Sequence, residues 1–435
     1  MGFVIVTASG TTGDVLPFVA IGAELRKRGH EVTLVSDPVF ERQAREAALS
    51  FVPVGTAAQY REFIDDPRLW DRDTVVSTVT KHALTTIEGF YTAVVRTHRR
   101  GETVLLTSGA DGASIAQERL GIPTAACLIA PNDLSRLDPA HPSRPLPVWA
   151  NAIARSRRGL RLIHGLRSRR QGILRALRGR SPISGSMASY LGELRRVRAL
   201  AGLPETRVAS STVPELLIGL WPSWFSPPQK DWPQTMKISG FPFYPKPPAR
   251  NAEPATAHDR SRPIVFTRGS AASRQQPFFA AAAECCRLLE RPGLLVTPHA
   301  ADVPSELPPT VSHVRSAPFG ELFAGAAGVV HHGGIGTIAY ALAAGIPQIV
   351  VPLVGHQFDL GYRMERLGVG SMLTQTPLSA ARLARELDSL WRSERTRRRC
   401  EYFRSTVDPE AGCSLAADWI EQLIAAGQTR VEGRA

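Results

Sequence analysis

His331-His332-Gly333-Gly334-Ile335-Gly336-Thr337 is the stretch that decides the fold. It follows the apolar run Ala326-Ala327-Gly328-Val329-Val330 and precedes Ile338-Ala339-Tyr340-Ala341-Leu342. An apolar run, a glycine cluster and a second apolar run read as strand, tight turn and helix. Such a turn leaves backbone N–H groups at a helix N-terminus facing open space, where a phosphate can sit. The glycines let an anion approach the backbone, and His332 and Thr337 add side-chain donors.

Working outward, the same unit recurs at the other end of the chain. Val4-Ile5-Val6-Thr7 is a short apolar strand, ended by Ser9-Gly10-Thr11-Thr12-Gly13. A helix from Leu16 to Arg28 stops at Gly29-His30, and Glu31-Val32-Thr33-Leu34-Val35 is the next strand. Strand, glycine turn, helix, strand is a βαβ unit and implies a parallel sheet. Phe51–Val54, Thr103–Thr107 and Thr124–Leu128 continue the series, with a helix over 111–120. A second series holds Ile264–Thr267 with Arg268-Gly269-Ser270, then Gly293–Thr297, Val329-Val330 and Gln348–Val351. Between the two series, Trp221–Pro248 is rich in proline and aromatics, and 251–262 is polar. The expected division is an N-terminal Rossmann-like domain over 1–225, a linker over 226–262, a second Rossmann-like domain over 263–405, and a C-terminal helix and tail over 406–435. Two open α/β domains with ligand loops at their strand ends imply a cleft between them.

Composition bounds the rest. A length of 435 residues exceeds one core, and two domains of roughly 200 residues are the natural expectation. No uninterrupted apolar run is long enough to span a bilayer. Met1-Gly2-Phe3-Val4-Ile5-Val6 has no basic leader and enters a strand at once, so neither a signal peptide nor Gly2 acylation is expected. The five cysteines are scattered without metal-ligand spacing, which fits buried thiols in a reducing cytoplasm. The net charge of +13 is uneven: residues 151–180 hold ten arginines and no acid, with Ile153, Leu160, Ile163, Leu166, Ile173, Leu174 and Leu177 interleaved. That basic amphipathic stretch reads as a solvated helix face, with peripheral contact at an anionic membrane or an acidic acceptor as the alternative. No nucleic-acid motif or aromatic platform accompanies it, so nucleic acid is not expected as a partner.

Past the first glycine turn the pattern runs on as Gly345-Ile346-Pro347-Gln348, Val350-Val351-Pro352, His356-Gln357-Phe358-Asp359 and Arg366-Leu367-Gly368-Val369-Gly370. This order and spacing resembles the nucleotide-sugar site of glycosyltransferase family 1. Gly10-Thr11-Thr12-Gly13-Asp14-Val15-Leu16-Pro17-Phe18, Pro227-Pro228 with Asp231-Trp232-Pro233 and Gly240-Phe241, and Pro318-Phe319-Gly320-Glu321-Leu322 look most like one branch of it. That branch holds bacterial rhamnosyltransferases, sterol glucosyltransferases and antibiotic glycosyltransferases. The basic segment over 151–180 has no counterpart there. The resemblance implies the GT-B architecture, two Rossmann-like domains facing a central cleft. It also implies transfer of a sugar, with inversion, from a dTDP- or UDP-sugar to a hydroxyl of a small lipophilic acceptor. The nucleotide sugar is then a substrate, and no cofactor or metal is expected.

Inverting transfer needs a base for the acceptor proton and stabilisation of the departing diphosphate. Asp14 is the candidate base, in the turn formed by Gly10, Thr11, Thr12 and Gly13 on the acceptor side; capping of the following helix is the competing role for its carboxylate. The resemblance sets the diphosphate against His332, Gly333, Gly334, Gly336 and Thr337, with Gly269 and Ser270 approaching from the first strand of the second domain. It sets the nucleobase near Ser316 and Ala317. A structural role is expected for His331. His356-Gln357 stands where the family has an acid–glutamine pair for sugar hydroxyls, and Asp359 completes the expected donor contacts. Imidazole in place of a carboxylate argues against glucose as the best sugar and favours a deoxysugar. Tyr340 stands where many relatives carry a ribose-binding glutamate. Asp71-Arg72-Asp73 has the form of a metal motif but follows no apolar strand, and reads as a solvated turn. The expected location is cytoplasmic, with the membrane surface as an alternative. A non-catalytic homologue that activates a partner, and a membrane-surface glycolipid rhamnosyltransferase, are the rival readings.

Overall fold

The computed structural model describes residues 1–71, 73–131, 182–205, 213–229, 232–248, 259, 261–270, 274–375 and 377–432, with backbone alone for 182–187 and 428–432. The basic stretch over 151–180 therefore lies outside the described residues.

The first lobe begins with β1 (Phe3–Thr7), α1 (Thr12–Lys27), β2 (Glu31–Ser36), α2 (Glu41–Glu46) and β3 (Ser50–Pro53). It continues through α3 (Ala57–Ile64), α4 (Val75–Thr97), β4 (Thr103–Thr107), α5 (Asp111–Leu120), β5 (Thr124–Leu128), α6 (Pro182–Leu200), β6 (Leu216–Gly219) and β7 (Met236–Ile238). All seven strands are parallel, in the order β3-β2-β1-β4-β5-β6-β7. A strand covered on both faces must be apolar throughout, and every residue of β1 is buried. Val4 and Val6 face α1, while Phe3 and Ile5 face α4, α5 and α6.

The second lobe holds β8 (Ile264–Thr267), α7 (Gln276–Leu289), β9 (Gly293–Val296), β10 (Val311–Val314), α8 (Phe319–Ala324), β11 (Gly328–His331) and α9 (Ile335–Ala344). After these come β12 (Gln348–Val350), α10 (Gln357–Leu367), β13 (Gly370–Met372), α11 (Ala380–Arg392), α12 (Glu394–Thr406) and α13 (Ala411–Glu432). Its six strands are parallel in the order β10-β9-β8-β11-β12-β13. Strand order reverses between β1 and β4 in the first sheet and between β8 and β11 in the second. Open α/β sheets bind ligands outside the carboxyl ends of the strands at such switch points.

One boundary differs from the sequence reading. The segment over 226–262 is not only a linker. Met236, Lys237 and Ile238 pair with Leu217, Ile218 and Gly219 and close the edge of the first sheet. Around that strand, Trp221, Phe225, Phe241 and Phe243 are buried against α9, α10 and α12. The aromatics thus form a core where the lobes meet, which a solvated linker could not do. The expected C-terminal helix is present as α13, and it packs back on the first lobe. Cys413, Ala416, Ala417, Ile420 and Ile424 of α13 complete the first lobe's core against α1. Arg28 fixes it by bonding Asp418, Glu421 (3.0 Å) and Ser414. The chain therefore crosses between the lobes twice, and the crossings touch. A Cβ on Gly240 would lie 3.2 Å from Gly412 Cα, and one on Gly412 would lie 2.4 Å from the Phe241 carbonyl oxygen.

Candidate active site

On the first lobe, β1 runs into the Gly10–Gly13 turn and α1 begins at Thr12. Gly10 sits at φ +123°, where a Cβ would lie 2.7 Å from Asp14 Oδ2, so only glycine fits. The Asp14 carboxylate turns back over the helix start. Its Oδ2 accepts from the Thr11 N–H (2.7 Å) and the Thr11 hydroxyl (2.8 Å). No described residue bonds Oδ1. Capping and proton acceptance therefore fall on different oxygens of one carboxylate.

A second acid stands behind this turn. Asp37, buried at the end of β2, accepts from the Ser9 hydroxyl (2.8 Å) and the Gly10 N–H (3.4 Å) through Oδ2. His82 Nε2 lies 3.6 Å from its Oδ1, and the His82 ring stacks on Phe63 at 4.0 Å. Sequence reasoning missed both residues: Asp37 and His82 are 45 positions apart on a strand end and a helix, and no spacing links them.

On the second lobe, β8 and β11 deliver Gly269 and His332 side by side. Gly269 has φ +82°, and a Cβ there would lie 2.9 Å from His332 Cε1. Gly333 (φ +96°) would strike Val350, and Gly334, which caps α9, would strike His332 Nε2 at 2.8 Å. A Cβ on Gly336 meets nothing. The turn thus packs tightly behind His332 and is open in front of the helix start. His331 is fully buried. Its Nδ1 accepts from the Gly333 N–H (3.1 Å), so its Nε2 carries the proton and donates to Gln348 Oε1 (3.1 Å). Burial pushes the His331 pKa down to about 4, against a smaller opposing effect of the Gln348 bond. This is a structural role: His331 holds the turn.

His332 is half-buried, with Nδ1 sealed and unpartnered among the described residues. Its pKa is held well below the ordinary value by burial first, then by His331, Arg268 and His356. At neutral pH it is a neutral donor, not a cation. Thr337 is buried in the first turn of α9.

The remaining expected contacts divide. Ser316 and Ala317 follow β10, on the outermost strand of the same sheet edge. His356 caps α10 and lies near enough to depress His332. Gln357 is buried and spends Oε1 on the Leu353 (2.7 Å) and Val354 (3.1 Å) N–H groups. Asp359 is buried in an ion pair with Arg363 (2.8 Å), which also bonds the Phe225 carbonyl (3.1 Å). In this structure Gln357 shapes the loop and Asp359 ties α10 to the aromatic core. Tyr340 donates to the Pro245 carbonyl and packs on Phe243, so it anchors the crossing segment. Asp71 Oδ1 accepts from the N–H groups of Asp73 (2.9 Å) and Thr74 (3.2 Å), an Asx turn leading into α4. Among the described residues no cluster of three or more His, Cys, Asp or Glu side chains could hold a metal ion, and no helix is long and apolar enough to cross a membrane.

The two turns face each other. Ser270 Oγ donates to Thr12 Oγ1 at 3.0 Å, and the Trp70 ring meets His332 edge-on at 6.5 Å. One cleft therefore has a free carboxylate oxygen on one lip and an anion-binding turn on the other.

Residues 4–136 match the family described as the glycosyltransferase family 28 N-terminal domain, and residues 294–406 that of the erythromycin biosynthesis protein CIII-like C-terminal domain. Together the two matches span both lobes: the chain has the GT-B fold and is a glycosyltransferase. Among its relatives, O-mycaminosyltylonolide 6-deoxyallosyltransferase of Streptomyces fradiae is 29% identical over 95% of this chain and 96% of its own length. Sterol 3-beta-glucosyltransferase of Leptosphaeria maculans is 24% identical over 98% of this chain, which spans only 29% of that longer protein. Spinosyn rhamnosyltransferase SpnG, solved with thymidine diphosphate, superposes with a TM-score of 0.63 at 17% identity, over 96% of this chain and all of that one.

Proposed function

We propose that this glycosyltransferase moves a deoxysugar, with inversion and without a metal, from a dTDP- or UDP-sugar to a hydroxyl of a small lipophilic acceptor. The observation that carries this reading is the apposition of Asp14 Oδ1 and the His332 turn across one cleft, bridged by Ser270 and Thr12. The acceptor hydroxyl gives its proton to Asp14 Oδ1 as its oxygen attacks the anomeric carbon. The bond from that carbon to the diphosphate breaks, and the nucleoside diphosphate leaves toward α9. Its charge meets the free N–H groups at the start of α9, the Thr337 hydroxyl and the neutral His332 ring.

The sheet offers a place for the whole donor. From β11 to β10 is three strand spacings, about 14 Å, a span suited to a nucleoside diphosphate with its base near Ser316 and Ala317. The SpnG complex supports a thymidine nucleotide, and the 6-deoxyallosyltransferase supports a deoxysugar and a natural-product acceptor. A glycolipid made at a membrane surface stays as the second reading, favoured by the basic segment over 151–180.

The test is release of dTDP or UDP over a panel of acceptors spanning polyketide aglycones, sterols and hydroxy-fatty acids, with and without EDTA. Acceptor-dependent release, unchanged by EDTA, is expected. A protein that binds nucleotide but releases none with any acceptor is the non-catalytic homologue, and the proposal fails.

A further inference from the structure

Arg268 follows β8 directly and precedes the glycine that abuts His332. It is largely buried: the residue is 8% exposed. The guanidinium lies over the Phe278 ring of α7, 4.5 Å from its centroid, and one Nη donates to the Val351 carbonyl beyond β12. Its Nε is sealed without a hydrogen-bond partner, and among the described residues no carboxylate pairs with it. Burial lowers its pKa only to about 10, so it stays a cation at neutral pH.

A buried cation with neither a carboxylate nor a full set of hydrogen bonds is unfavourable by itself. An aromatic face and one carbonyl compensate it only in part. It stands at the carboxyl end of β8, beside β11, where strand order reverses, close enough to His332 to depress that ring. The ligand expected there carries its formal charge on a diphosphate. The buried cation therefore stands next to the turn where the diphosphate is expected, one residue from the glycine that abuts His332.

We infer that Arg268 is the built-in counter-charge of the donor diphosphate, a positioning residue that acts through space and through His332. The inference rests on the donor site of the proposed function and names what that site selects. With Arg268 charged behind it, His332 stays neutral and presents one N–H, while Arg268 supplies the positive charge. The two residues divide what a single histidinium would otherwise do. The site should then discriminate by phosphate charge and not by nucleoside alone. It should prefer dTDP to dTMP and to thymidine by more than the contacts of His332 and α9 provide.

The test measures thymidine, dTMP and dTDP binding by calorimetry on the full chain, in wild type and Arg268→Met. Methionine fills similar space beside Phe278 and Val351 without charge. The expected result is a loss of dTDP affinity of about 10- to 100-fold, with thymidine affinity unchanged and the unliganded melting temperature equal or raised. A packing role alone would lower thymidine and dTDP affinity together and leave their ratio fixed, which overturns the inference. Where Arg268→Met does not fold, Arg268→Lys and Arg268→Gln give the same reading: lysine should keep the dTDP-to-thymidine ratio within about threefold and glutamine should lose it. Equal ratios in those two variants overturn it as well. If wild type binds dTDP and a variant without the charge binds it equally, the inference fails and the donor site stands. If wild type binds neither dTDP nor UDP, the donor site itself fails, and the inference with it.

Discussion

Acidification should loosen this protein at one identifiable ring. His331 is fully buried, with Nδ1 accepting from the Gly333 N–H and Nε2 donating to Gln348. Protonation would aim a second N–H at the Gly333 N–H and break the bond that shapes the turn. The folded pKa is lowered to about 4, so the unfolded chain binds the proton first as pH falls. The stability from this ring is full above its ordinary pKa of 6.5 and is lost as pH falls from there toward 4. At about 1.4 kcal/mol per pH unit, the full window is worth about 3 kcal/mol. The perturbation is His331→Asn, which keeps an acceptor for Gly333 and does not titrate. At pH 7.5 it should be about 1–2 kcal/mol less stable than wild type, through the lost Gln348 bond and packing. Between pH 6.5 and 5 the gap should narrow by about 2 kcal/mol, because wild type alone loses this term. Parallel urea unfolding at pH 7.5, 6.5, 5.5 and 5.0 measures it, in a His332→Ala background because His331 also depresses that neighbouring ring; the remaining histidines cancel in the difference. A gap constant to within about 0.5 kcal/mol across that range would refute the buried neutral ring.

Three further outcomes follow from the cleft. Asp14→Asn keeps an oxygen for Thr11, so melting temperature and dTDP affinity should hold while transfer falls by roughly 10²–10⁴; an unstable variant with full activity per folded molecule would make Asp14 a cap only. His332→Ala should slow transfer by about 10²-fold and weaken dTDP binding by calorimetry at pH 7.5, above the ordinary imidazole range, where burial keeps the ring neutral; equal turnover would remove it from the site. His356→Asp should move donor preference from dTDP-rhamnose toward UDP-glucose in a competition assay, because a buried hydroxyl without its acceptor costs about 1–3 kcal/mol; an unchanged ranking means that this position does not read the sugar.

The strands that open each lobe were legible because they are short apolar runs closed by glycine turns. β1, β2, β8 and β11 appear where the pattern puts them. β7 was not legible: three residues, Met236-Lys237-Ile238, carry no period among prolines and aromatics. Nor was α4, whose Val75, Val76, Thr78, Val79, Thr80, Thr85 and Thr86 favour strand by local preference. Packing against α5 and α6 overrides that preference. In the site, the His332 and Gly10 turns were readable because glycine at positive φ is a local requirement. Which oxygen of Asp14 is spent, and that Asp359 is paired with Arg363, depend on partners that local pattern does not specify. The charge on Arg268 was visible, but its isolation was not, since isolation is a property of everything around it.

The return of α13 to the first lobe has a consequence for anyone recombining such enzymes. A chimaera joined once near residue 260 would not exchange a whole acceptor half. It would take α1 from one parent and α13 from the other, and set a foreign helix against Val15, Phe18 and Ile21. The Arg28 bonds to Ser414, Asp418 and Glu421 would be split between parents. The inheritable unit is discontinuous, the front of the chain plus its last helix, and a transplant that respects it needs two junctions, the second between Val407 and Ala411.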